Sequence, residues 1–85
     1  MNRYGVDKRL LKSIMVANGD TANELAEYLK ISSNSMSGRM NGKIPFKPNE
    51  IAAIIVRYGL SSDVMERIFF DQLLTKVDSF GYEKE

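Results

Sequence analysis

The sequence predicts one compact all-α domain built from five short helices. Its 85 residues allow a single hydrophobic core. Apolar residues recur at spacings of three and four, which is the helical period, while the alternation typical of strands is nearly absent. Residues that start or stop helices separate these apolar stretches into five segments. We expect residues 1–78 to form the domain and residues 79–85 to form a frayed tail.

The first two helices are predicted from an apolar stripe and a capping box. The stripe of helix one contains Val6, Leu10, Leu11, Ile14 and Met15. Asp7 is expected in the first turn of this helix, and Gly19 is expected to end it. Thr21 followed by Glu24 is a capping box that opens helix two. The buried face of helix two is expected to contain Leu25, Ala26 and Leu29.

Helix three is expected to follow a tight turn. Ser32 or Ser33 would cap its amino end, because a serine hydroxyl accepts a hydrogen bond from a free amide of the first turn. Met36 and Met40 would face the core, and Gly42 would end the helix by adopting a positive φ.

Two further helices are predicted after a loop at residues 43–47. Pro48 suits the first position of helix four, where no amide proton is needed. Its inner stripe is expected to contain Ile51, Ala52, Ile55 and Tyr58. Gly59 would end helix four, and Ser61 or Ser62 would cap helix five. Helix five carries the apolar residues Val64, Met65, Ile68 and Phe69.

The composition excludes several classes of function. The chain contains no cysteine, so it has no disulfides, and a reducing compartment such as the cytoplasm fits it. It contains no histidine either, which excludes imidazole–thiolate metal sites and His-dependent nucleophilic catalysis. No apolar run is long enough to span a bilayer. We expect a cytoplasmic protein that is not an enzyme and needs no metal, cofactor, small-molecule substrate or membrane.

The charge is unevenly distributed, although the net charge is only +1. Residues 1–47 hold eight Lys/Arg and four Asp/Glu, whereas residues 48–85 hold four Lys/Arg and seven Asp/Glu. A basic first half favours contact with a polyanion such as nucleic acid. Chance scatter of surface charge would also explain so small an imbalance.

The most informative segment is residues 21–42, where two short helices are joined by a tight turn. A small residue, Ala26, would let the two helices cross closely, and Leu25, Leu29, Ile31 and Met36 would fill the space between them. The exposed face of the second helix would then be free to enter the major groove of DNA.

This segment resembles the Cro/C1-type helix-turn-helix of the Xre family, and in particular its small phage-associated regulators. The resemblance rests on the pattern Thr21-x-x-Glu24-Leu25-Ala26-Glu27-x-Leu29-x-Ile31-Ser32 and on Ser37, Asn41, Gly42 and Lys43. With the flanking helices included, the resemblance covers residues 4–70. It implies a lambda-repressor-like five-helix fold that binds double-stranded operator DNA, usually as a homodimer, in a bacterial or phage-infected cell.

The sequence departs from the family pattern at four positions. Lys30 stands where a turn glycine is common, and we expect it to adopt a left-handed conformation. Ala22 replaces a glutamine that often reaches a phosphate. Gly38 offers no side chain where relatives often read a base, and Arg39 replaces an apolar residue. These departures leave the fold expectation intact and weaken the base-reading pattern.

Three residues on the first turns of helix three are candidates for contacting base edges, namely Ser33, Asn34 and Ser37. Asn34 is the strongest candidate, because its amide can pair with two atoms of adenine. Capping and solvent exposure would also explain these residue types.

Four further residues are candidates for contacting phosphates: Thr21, Arg39, Asn41 and Lys43. Thr21 lies at the amino end of helix two, where free amides suit an anion. Capping is also expected of Thr21 and is compatible with a phosphate contact. Arg39 is expected to reach a phosphate in preference to a guanine. Lys8, Arg9 and Lys12 on helix one could also reach phosphates, but a solvated face is the more common explanation.

The dimer candidates lie in the last helix and beyond it: Phe69, Phe70, Leu73 and Leu74. Consecutive apolar residues on a helix cannot all face one core, so one phenylalanine is expected to be exposed and to contact a second copy. The alternative is that the tail folds over this patch.

We therefore expect a Cro-like transcriptional regulator, acting as a repressor that binds a partly palindromic operator as a dimer. The alternative is a protein-interaction module that keeps the fold but has lost operator recognition, which the small side chains of helix three and the near-neutral charge would fit.

Overall fold

The computed structural model describes residues 5–70, which fold into five α-helices and contain no strand. The first four are α1 (Lys8–Ala17), α2 (Ala22–Leu29), α3 (Ser33–Met40) and α4 (Pro48–Tyr58). The fifth, α5, comprises residues 62–70. The predicted fold class, a small five-helix all-α domain, is confirmed. The expected frayed tail at residues 79–85 and any extension of α5 past residue 70 lie outside the described residues.

Short polar side chains begin most of the helices. Asp7 is the N-cap of α1 and not part of its first turn, and its carboxylate accepts a hydrogen bond from the Leu10 amide at 3.0 Å. The predicted capping box opens α2, where the Glu24 amide donates to the Thr21 hydroxyl at 3.1 Å and the Thr21 amide donates to the Glu24 carboxylate at 2.9 Å. Ser32, one of the two candidates, caps α3. The helix boundaries therefore follow largely from local sequence.

The turn between α2 and α3 contains a non-glycine residue in the left-handed region. Lys30 has a φ of 61°, as expected, which costs about 1 kcal/mol relative to glycine. The Ile31 amide donates to the Ala26 carbonyl at 3.0 Å and closes the end of α2. Leu25 and Ala26 of α2 and Met36 of α3 are all buried in the core, where the two helices pack together.

The core draws on all five helices and on the loop before α4. Its members are Val6, Leu11, Met15, Leu25, Ala26, Met36, Met40, Phe46, Ile54, Ile68 and Phe69. The rings of Phe46 and Phe69 meet edge to face with their centroids 5.4 Å apart. The Asp7 amide also donates to the Ile68 carbonyl at 2.7 Å, which joins the start of α1 to α5.

The predicted inner stripe of α4 is partly wrong. Ala52 is exposed, whereas Ile54, which was not predicted, is fully buried. Helix α4 carries apolar residues on nearly every side, so the apolar pattern does not fix which side faces the core. In the structure, the buried residues of α4 are Glu50 and Ile54, which lie one turn apart.

A hydrogen-bonded cluster joins the α1–α2 loop to the end of α4. Arg57 donates from two nitrogens to the Asp20 carboxylate at 2.6 and 2.8 Å, and the Tyr58 hydroxyl donates to the same carboxylate at 2.5 Å. The Arg57 guanidinium also lies over the ring of Tyr28, 4.5 Å from its centroid. The hydrogen bonds from Arg57, and next the hydrogen bond from Tyr58, lower the pKa of Asp20 from 3.8 to about 2.

The Asp20→Asn variant tests this cluster through the pH dependence of stability. Because the pKa of Asp20 is lower in the folded than in the unfolded protein, its stabilising effect is complete above pH 4 and disappears as the pH falls towards 2. The difference in melting temperature between wild type and Asp20→Asn should therefore shrink over that interval. Asp63→Asn, at an exposed position of α5, is the control. A difference that is constant from pH 6 to pH 2 would contradict the lowered pKa.

Candidate nucleic-acid interface

One face of α3 is open and carries only small, uncharged groups. Asn34 and Ser37 are exposed on it, and Gly38 and Asn41 are partly exposed. The opposite face is anchored by Met36 and Met40, which are 1% and 4% exposed. The structure therefore places Asn34 and Ser37 on the surface, as the sequence predicted.

Arg39 is not on that open face, which corrects the expectation that it reaches a phosphate. Its side chain is 8% exposed and that of Glu50 is 6% exposed. The Arg39 Nε and Nη2 atoms donate to the two carboxylate oxygens of Glu50 at 2.8 and 3.2 Å. The same Glu50 accepts a hydrogen bond from the Lys47 amide at 2.9 Å. Arg39 therefore joins α3 to the start of α4 and is not available to a ligand.

Two lysines of α1 lie along one edge of the α3 face. Lys8 and Lys12, one helical turn apart, line a cleft of about 270 Å³ together with residues of α2 and α3. The remaining lining residues are Ala22, Asn23, Ser33, Met36, Ser37, Met40 and Asn41. The cleft therefore places two positive charges beside the hydroxyl and amide groups of α3.

Hydrogen bonds connect this lysine edge to the face of α3. The Lys8 ammonium donates to the Asn41 Oδ1 atom at 2.8 Å. The Asn41 Nδ2 atom in turn donates to the Ser37 Oγ atom, with a long separation of 3.4 Å. Because the Ser37 oxygen accepts this bond, its hydroxyl proton can point towards an acceptor outside the protein.

The remaining predicted site residues lie at or near the ends of α2 and α3. Ser33 is the first residue of α3 and forms part of the cleft. The hydroxyl and amide of Thr21 are both engaged with Glu24 in the capping box, so capping is its observed role. Lys43 is exposed just after α3, and its amide donates to the Gly38 carbonyl at 2.8 Å.

Gly38 is packed against the loop that follows α3. A Cβ atom at this position would lie 2.8 Å from the Ile44 Cδ1 atom, which is too close for a real contact. The Ile44 amide also donates to the Gly38 carbonyl at 3.2 Å. The glycine at this position thus makes room for Ile44.

Sequence reasoning missed the contributions of Asn23 and Ile44 to this surface. Asn23 is the second residue of α2, and nothing in its local sequence points to the cleft. Ile44 resembled an ordinary loop residue, and only the pairing of a helix glycine with an apolar residue six positions later could have indicated the contact. The sequence shows that Lys8 and Lys12 are one helical turn apart, but it does not show that α3 lies beside them.

The predicted dimer residues divide between the core and the surface. Phe69 is fully buried within its own domain, so its assignment as an exposed dimer contact is wrong. Phe70 is 57% exposed and lies beside Val64 and Arg67 on α5. Leu73 and Leu74 lie outside the described residues.

Within residues 5–70, no group of acidic side chains is arranged to hold a metal ion. None of the helices in this part of the chain has the length and apolar character needed to cross a bilayer. Comparison with protein-family models, curated proteins and solved structures found no match to this chain. The resemblance to the Cro/C1-type helix-turn-helix therefore stays a prediction.

Removing the carboxylate of Glu50 should strongly destabilise the domain. The variant Glu50→Ala leaves the Arg39 guanidinium buried without its partner, which costs about 3–5 kcal/mol of unfolding free energy. Urea unfolding of wild type and variant measures this loss, with exposed Glu66→Ala as the control. The double variant Arg39→Met/Glu50→Met should be more stable than Glu50→Ala, because it buries no unpaired charge. A loss below about 1 kcal/mol in Glu50→Ala would contradict the buried pair.

Proposed function

We propose that this domain binds double-stranded DNA in a sequence-specific manner and regulates transcription, with α3 in the major groove. The observation that carries the proposal is the open α3 face of hydroxyl and amide groups beside Lys8 and Lys12. In this arrangement, α3 reads the base edges and the lysines bind the backbone.

The shape and chemistry of α3 suit the major groove. An α-helix with its side chains is about 10–12 Å across, and the groove is about 12 Å wide. Asn34 and Ser37 are short, so the helix backbone can approach the base edges closely. Asn34 has the donor and acceptor that pair with adenine, and the Ser37 hydroxyl can bond to several bases.

Phosphate binding is assigned to the edge of the face where α1 meets α3. Lys8 and Lys12 are exposed there and supply positive charge. Contacts of this type position the protein on the duplex without reading its sequence, and they make affinity depend on salt. Asn41 and Lys43 extend this set at the end of α3, whereas Arg39 is left out because Glu50 holds it in the interior.

The packing of Gly38 weakens the case for a protein-interaction module. The interaction-module hypothesis was based in part on the absence of a side chain at position 38, which would fit a loss of base reading. The glycine instead leaves space for the end of the flexible Ile44 side chain, which a Cβ atom at this position would push aside. Ser37 and Asn34 on the same face keep their polar groups exposed.

Dimerisation is a separate part of the proposal. Exposed Phe70 on α5 offers an apolar contact for a second copy of the chain. The dimer would cover two half-sites and repress transcription by excluding polymerase. Duplexes selected by the protein from a random pool should carry two-fold-related half-sites about 10 base pairs apart. A single unpaired half-site would contradict the dimer and leave DNA binding in place.

Two variants test the roles of α3 and α1 on a duplex selected in this way. Asn34→Ala should weaken binding to the selected duplex by about 1–3 kcal/mol and leave binding to a scrambled duplex unchanged. Lys12→Gln should weaken both by similar amounts and reduce the dependence of log affinity on log salt by about one. Fluorescence anisotropy at several salt concentrations measures all four affinities.

The matched control is Asn18→Ala, which removes the same amide from the far end of α1. Asn18 lies ten residues from Lys8, or about 15 Å along the helix. Its substitution should therefore leave both affinities unchanged. Equal losses on both duplexes for Asn34→Ala would contradict base reading by α3. Binding that is absent or insensitive to salt would contradict the proposed function and favour a protein partner.

A further inference from the structure

Ile44 is an apolar side chain held on the open face of α3, although it belongs to the following loop. Gly38 lies four residues after Asn34, so the two positions are only about 40° apart around the helix axis. The Cδ1 atom of Ile44 occupies the space above Gly38. The face therefore has lysines along one edge and a branched apolar group along the other.

Backbone hydrogen bonds hold the loop at Ile44 against α3. The amides of Lys43 and Ile44 both donate to the Gly38 carbonyl, at 2.8 and 3.2 Å. Gly42, with a φ of 76°, makes the reversal that brings this loop back onto α3. Ile44 nevertheless stays 40% exposed.

The major groove offers a single type of apolar group to such a side chain. Of the four bases, only thymine carries a methyl group on its major-groove edge. We propose that Ile44, seated on Gly38 at the edge of the α3 face, contacts a thymine methyl group and selects thymine at one position of the bound site. This inference rests on the proposed function, since it needs α3 to enter the major groove.

Replacing thymine by deoxyuridine removes only the methyl group and so tests the contact directly. Each thymine of the selected duplex is replaced in turn, and the dissociation constant is measured for every replacement. For wild type, at least one replacement should weaken binding about three- to fivefold, the size expected for one buried methyl group. For Ile44→Ala, the same replacement should have almost no effect.

Two further variants make the test specific to this contact. Gly38→Ala keeps α3 helical but pushes the end of the Ile44 side chain aside, so the effect of the replacement should decrease. Val56→Ala truncates a side chain that is 75% exposed on α4, and it should leave the effect unchanged.

The outcomes separate this inference from the proposed function. If no replacement weakens wild-type binding, or if the weakening persists in Ile44→Ala, the assignment of Ile44 is wrong while DNA binding stands. If the protein selects no duplex at all, the inference and the proposed function both fail.

Discussion

The buried ion pair between Arg39 and Glu50 keeps the one charged side chain of α3 away from the face that meets the solvent. Arg39 is the one charged residue of this helix, and outside the core it would have shared the surface with the serines. Its two hydrogen bonds to Glu50 place it against the start of α4 instead. The partner is essential, because a buried guanidinium without a carboxylate would be strongly destabilising. The uncharged character of the exposed face therefore depends on this pair, while Met36 and Met40 hold the opposite face of α3 in the core.

The exposed face of α3 has no charged or apolar side chain of its own, and neighbouring elements place both kinds beside it. The exposed face carries no charge, so the positive charge comes from Lys8 and Lys12 on α1. It carries no apolar side chain either, and Ile44 from the loop adds one above Gly38. In the proposed complex, this division would let the short side chains of α3 approach base edges closely, while Lys8 and Lys12 would bind phosphates.

Local sequence was sufficient for the helix boundaries and insufficient for the packing between helices. Thr21 and Ser32 act on amides within three residues, so their capping roles could be predicted. The burial of Arg39 could not be predicted, because its partner lies 11 residues away on another helix and neither residue belongs to an apolar pattern. Ile54 was missed for a related reason, since the apolar residues of α4 surround the helix. The exposed position of Asn34 was predicted, because the methionines of α3 mark the opposite face.

The most direct test of the proposed surface is a nuclear magnetic resonance titration of the labelled protein with a duplex that it has selected. We expect the largest changes in amide chemical shift at residues 33–44 and at Lys8 and Lys12. Residues of α5 should change little, apart from those at a dimer contact around Phe70. Changes confined to α4 and α5, or no changes in a protein whose spectrum shows that it is folded, would contradict DNA binding by the α3 surface.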